Sequence, residues 1–255
     1  MWSLFHSILL YYFNTIGLLS LKRSTVNGLI TLKTSNFYGI LNCLKASILM
    51  YFKNSIFELM DDCYTVGLEV EYSTFSNVTY SVNGNILMLT TFSIILVQFW
   101  RKEETMNLLN DVLMLKHVSI KTFMLKESFY QEFRRNCIKD VLKIIIAFVI
   151  VFTFDYLSTM NHNWLSLVSY VLYILPEVVN ISMIVFMYIL TQFVVTAQKI
   201  LNSYLSESVN ENYIEQYAVY TMEVFRILRQ MLKIMNLQCL FLTCYLFIET
   251  LVQVS

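Results

Sequence analysis

Proline occurs once in this chain, at Pro176, and glycine only five times in 255 residues. A transmembrane barrel needs many short alternating segments separated by turns, so this scarcity excludes one and favours long uninterrupted helices. Net charge is missing as well. The 18 basic and 18 acidic residues cancel, which leaves no basic excess for a polyanion and excludes a nucleic-acid footprint. The three histidines, His6, His117 and His162, lie far apart without metal-ligand spacing. Cys43, Cys63, Cys137, Cys239 and Cys244 show no paired spacing. Neither a disulfide framework nor a zinc site is indicated, and the cysteines read as small buried apolar residues. A phosphate-cradling Gly-rich loop, a Gly-x-Ser-x-Gly elbow and a paired catalytic motif are all lacking, so the expectation is a non-enzyme with no cofactor and no metal.

What the chain has is apolar character. It is 57% hydrophobic and 15% aromatic, only 14% charged, and its mean hydropathy is +0.58. An average soluble domain is about half apolar and about a quarter charged. The expected class is therefore an all-α, polytopic membrane helix bundle. A span needs about 20 mostly apolar residues. Five segments qualify: 37–57, 84–100, 141–157, 164–195 and 234–254. The first carries Lys45 and Lys53, which long side chains tolerate by snorkelling.

Direction follows from Lys and Arg, which cytoplasmic loops retain. The 58–83 loop has none and carries Glu58, Asp61, Asp62, Glu69 and Glu71. The 101–140 loop holds Arg101, Lys102, Lys116, Lys121, Lys126, Arg134, Arg135 and Lys139. The first is expected outside and the second inside. The 158–163 link again lacks basic residues, and 196–233 brings Lys199, Arg226, Arg229 and Lys233. Asn77-Val78-Thr79 is a glycosylation sequon in the outer loop, whereas Asn180-Ile181-Ser182 lies inside a span and is expected to stay unmodified. The opening run, 2–21, precedes Lys22-Arg23. If it crossed with its terminus inside, the charge pattern of every later loop would invert. It lacks the basic n-region and small-residue cleavage site of a signal peptide. It either crosses from an outer terminus or lies at the cytoplasmic face, and His6, Asn14, Thr15 and Gly17 favour the interfacial helix, within a cytoplasmic segment 1–36.

The inner loops are themselves helical in pattern. Ile214, Tyr217, Thr221, Val224, Leu228, Met231 and Met235 recur at three-four spacing, a coiled-coil-like seam. It could cover the chain's own core or form an oligomerisation anchor beneath the membrane. The stretch 164–205 would form a helix of about 60 Å, about twice the hydrocarbon thickness, so its lower half projects into the cytoplasm.

Ionisable groups inside spans are costly and mark functional positions. Asp155 stands near the outer end of the third span, where a solvated helix terminus explains it as well as a ligand contact does. Glu177 follows Pro176, whose missing N–H can kink the helix and free carbonyls to line a cavity. Around them Tyr156, Trp164, Tyr170 and Tyr173 could stack on a small organic ligand; an interfacial aromatic belt accounts for the same residues. Tyr245, Glu249 and Gln253 are weaker candidates.

Tyr11-Tyr12 followed by Gly17-Leu18, the acidic outer loop, the basic inner loop, a fourth helix running into Ile200-Leu201-Asn202 and Leu205, and the basic lead-in to Asn236 resemble the insect gustatory receptors. The resemblance implies a cytoplasmic amino terminus and seven spans in the cell membrane. It also implies a small-molecule tastant as ligand, and tetrameric assembly with like or other chemoreceptor subunits into a ligand-gated cation channel. It assigns the opening stretch to the segment before the first span and tilts the seam from Ile214 toward the anchor. The family's Thr-Tyr and Gln-Phe signature of the seventh, pore-lining helix is not matched by Tyr245 and Gln253, so the expectation is a chain truncated after the fifth span. An odorant receptor is the near alternative. A G-protein-coupled receptor would need a cytoplasmic first loop, and a transporter would be expected to show an internal repeat.

Overall fold

A computed structural model describes residues 2–26, 29–65, 74–122, 128–159, 164–207 and 211–254. Long stretches with few Gly or Pro form seven helices among these residues: α1 (Trp2–Ile16), α2 (Asn36–Thr65), α3 (Thr74–Trp100), α4 (Lys102–Thr122), α5 (Ser128–Thr159), α6 (Trp164–Glu207), which contains Pro176, and α7 (Glu211–Val254). The middles of the two expected outer loops, 66–73 and 160–163, lie outside the described residues. Among the described residues, three helical stretches are long and apolar enough to cross a membrane: Val82–Trp100, Tyr170–Ser203 and Ile214–Ile248. The expected segments 37–57 and 141–157 fall within α2 and α5.

Side-chain contacts set the direction of each helix. Lys102 Nζ reaches Asn36 Oδ1 at 3.0 Å, Gly39 faces the Phe99 ring, and Lys53 Nζ reaches Asn85 Oδ1 at 2.7 Å. The contacts climb α2 as they descend α3, so the two are antiparallel. Thr91 meets Pro176 and Gln98 meets Met183, so α3 and α6 run parallel. Arg101 Nη1 bonds the carbonyls of Lys233 and Ile234, and Arg226 pairs with Asp111 at 2.9 Å. Helix α7 thus runs antiparallel along both α3 and α4. The backbone bonds Arg101 N to Val97 O and Thr105 N to Arg101 O, both 2.9 Å, carry the helical pattern through the junction and make α3–α4 one rod. Helix α5 packs on α6 at the perimeter.

The 1–36 segment holds an element that the apolar-run reading did not anticipate. Strands β1 (Leu21–Val26) and β2 (Leu29–Thr34) pair antiparallel, with Leu21 opposite Thr34 and Val26 opposite Leu29. Helix α1 ends in a Schellman motif: Gly17, at φ 97°, donates to Asn14 O at 3.3 Å, and Leu18 donates to Phe13 O at 2.9 Å. The side chains of Phe13 and Leu18 are both buried there. Two asparagines then close the hairpin's outer edges. Asn14 accepts from Leu21 N at 3.1 Å and donates to Leu21 O at 2.7 Å. Asn110 of α4 accepts from Leu32 N at 2.8 Å and donates to Leu32 O at 3.0 Å. Each amide pairs the edge groups of one residue as a neighbouring strand would.

The core lies where α3, α6 and α7 meet, around Ile94, Met183, Ala197, Leu201 and Ile227, with Phe13 of α1 edge-on to Phe186. Large apolar residues also face outward: Ile40, Leu44, Ile48 and Tyr51 follow one stripe of α2, and Ile146, Val149 and Ile150 one of α5. Apolar faces of this extent are not carried by a soluble monomer.

Candidate ligand site

Helices α5 and α6 bring three of the named tyrosines together. Tyr170, 3% exposed, stands 5.3 Å from the Tyr156 ring and 6.3 Å from the Phe152 ring between centroids, and its hydroxyl donates to Phe152 O at 2.9 Å. Phe148 packs tilted against Phe152, with ring centroids 4.1 Å apart. Tyr173 and Ile174 pack on the cluster, and half-buried Glu177 continues the stripe of Tyr170 and Tyr173 at helical spacing. Asp155 and Trp164 belong to the same helices, and Asn77 to the first turn of α3, but their side chains lie outside the described residues. Sequence reasoning missed Phe148 and Phe152, which belong to an apolar run and carry no polar mark.

Next to this cluster, Pro176 is buried. Lacking an N–H, it leaves the Leu172 carbonyl without its helical donor. Thr91 Oγ1 donates to Pro176 O at 3.2 Å and lies 3.5 Å from Asn180 Oδ1. Two turns on, Gln98 Nε2 approaches Met183 Sδ at 3.9 Å while Gln98 Oε1 accepts from Thr105 Oγ1 at 3.3 Å. Thr91, Gln98 and Thr105 recur every seven residues and are all buried, so one stripe of the α3–α4 rod is polar within the bundle. Gln238 of α7 is 0% exposed, and neither amide atom has a partner among the described residues. These uncharged groups stand in the sequence as polar letters inside apolar runs, but carry less of a mark there than the carboxylates Asp155 and Glu177.

The α7 seam divides. Val224, Met231 and Met235 are buried in the chain's own core, Tyr217 and Leu228 pack against it, Thr221 donates to Tyr217 O at 2.9 Å, and Ile214 is exposed. Tyr220, Ile227, Ile234, Gln238, Leu242 and Tyr245 complete the buried stripe.

Long apolar helices turned alternately up and down, with apolar outer faces and a buried polar stripe, define a polytopic helical membrane protein. The model of one family, 7tm Chemosensory receptor, matches residues 6–255, and the chain belongs to that family. It is thus a multi-pass chemoreceptor from a receptor family rather than an enzyme family. A search of curated proteins finds no match.

Proposed function

We propose that this chemoreceptor binds a small organic tastant between the outer halves of α5 and α6, as a gustatory receptor subunit. In a homo- or heterotetramer with other chemoreceptor subunits in the cell membrane, binding gates a cation pathway. The observation that carries the ligand reading is the Tyr170 ring held between Tyr156 and Phe152, with Tyr173 and Glu177 on the continuing stripe. Aromatic faces stack on a planar or apolar ligand, and a carboxylate beside them supplies orientation. Asp155 and Trp164 complete the set.

In this reading the amino terminus is cytoplasmic, and 37–57, 84–100, 141–157, 164–195 and 234–254 cross the bilayer. Asn77 is glycosylated outside. Helix α4, the lower half of α6 and the start of α7 form a cytoplasmic bundle, in which the face around Ile214, Tyr217, Thr221 and Leu228, continuous with Val224, Met231 and Met235, anchors neighbouring subunits.

Calcium imaging of cells that express the chain with chemoreceptor subunits, against a panel of tastants, tests the site. Tyr156→Ala and Glu177→Gln are expected to raise the half-maximal concentration by about tenfold or more. Dose-response curves unchanged in both variants, at equal surface expression, would remove the α5–α6 cluster from ligand binding.

A further inference from the structure

The face that α5 turns away from α6 changes character along its length. Leu142, Ile146, Val149 and Ile150 are exposed on it. Toward the start of the helix the same stripe continues through Lys139 and Arg135, also exposed. Where basic gives way to apolar, a cleft of about 530 Å³ is lined by Gln131, Glu132, Arg134, Arg135, Ile138 and Lys139. Three cations there face one carboxylate.

The next carboxylate, Asp140, is already engaged. Tyr188 of α6 donates to its Oδ2 at 2.6 Å, and Lys143 Nζ lies 3.3 Å from Oδ1. The Tyr188 bond also pins α5 to α6 beside the cleft. From Lys139 to the end of α5 at Thr159 is about 30 Å of helix, the thickness of the hydrocarbon core. With that length in the bilayer, the cleft falls at headgroup depth.

We infer that the foot of α5 docks an anionic phospholipid headgroup of the cytoplasmic leaflet. The Arg135 guanidinium and Lys139 ammonium hold the phosphate, and the acyl chains lie along Leu142, Ile146 and Val149. A guanidinium offers a planar fork to phosphate oxygens and an ammonium a mobile point charge. The inner leaflet supplies the negative potential that such a cluster needs. The inference rests on the cytoplasmic placement of 101–140 proposed above.

Native mass spectrometry of the full chain released from nanodiscs tests it. The discs hold phosphatidylcholine alone or doped with phosphatidylserine or phosphatidylinositol 4,5-bisphosphate. Anionic lipid is expected to be retained over phosphatidylcholine, and the Arg135→Gln/Lys139→Gln double variant is expected to lose about tenfold of that preference. A Lys45→Gln/Lys53→Gln control keeps it. Free inositol hexakisphosphate that binds as well as the lipid would make the site one for soluble phosphates and overturn the lipid assignment. A double variant with unchanged retention would overturn it outright, as would Arg135→Cys crosslinking to a second copy of the chain. Separately, labelling of Arg135→Cys from outside intact cells would overturn the topology, whatever the nanodisc result.

Discussion

Gly39 of α2 faces Phe99 of α3 so closely that a Cβ on it would stand 2.7 Å from Phe99 Cε2 and 3.0 Å from Cδ2. Ser20 Oγ stands 3.7 Å from the same Cβ position, and Lys102 Nζ lies over the Phe99 ring at 4.9 Å, so an added methyl displaces the ring and disturbs that contact. Gly39→Ala is therefore expected to destabilise the bundle by about 1–3 kcal/mol, read as a lower melting midpoint in detergent. An unchanged midpoint would mean that α2 and α3 do not meet in this register.

Asn110 holds both edge groups of Leu32 from 78 residues away. Asn110→Ala removes two hydrogen bonds, each with a net value of about 0.5–1.5 kcal/mol, and reopens the strand edge. Hydrogen exchange is expected to accelerate across 29–34 while the core of α3 stays protected. Equal acceleration in both would indicate global loss of stability instead.

Gln238 makes the opposite prediction. A buried amide without partners loses its hydration and recovers nothing, about 1–3 kcal/mol, so Gln238→Leu is expected to raise the melting midpoint. Gln238→Ala, which leaves a cavity, supplies the contrast. A lower midpoint in the leucine variant would show that the amide has a partner, such as an ordered water.

Cys137, buried at the foot of α5, has its thiol pushed up to about 11 by burial, with the Asp140 charge adding to the shift. Raising a thiol removes thiolate at neutral pH; at pH 7.5 about two orders of magnitude less is present than for an ordinary cysteine. Maleimide at pH 7.5 followed by peptide mass spectrometry is expected to leave Cys137 unlabelled until the protein is unfolded. Ready labelling at pH 7.5 would contradict its burial.

Much of the helical architecture was legible in the chain. The segments behind α3, α6 and α7 stand out as apolar runs, and the 164–205 helix is seen whole in α6. The hairpin was less legible, although Asn27-Gly28 between two alternating stretches is a strong short-range hairpin signal in sequence. An apolar-run reading passes over it because the strands carry Lys22, Arg23 and Lys33. The aromatic site was half legible: Tyr156, Tyr170 and Tyr173 are marked by residue type, while Phe148 and Phe152 acquire a role only by facing Tyr170.

Composition and spacing determined, by themselves, that the chain is a bundle of long membrane helices. Helix formation satisfies backbone groups locally, and bilayer thickness selects apolar runs of a given length. The matching of Asn14 to Leu21, of Asn110 to Leu32, of Gly39 to Phe99 and of Tyr170 to Tyr156 was decided only by the tertiary structure. Each pairing depends on how far one helix slides along another, and that displacement is set by packing across the whole interface, which no local pattern of letters encodes.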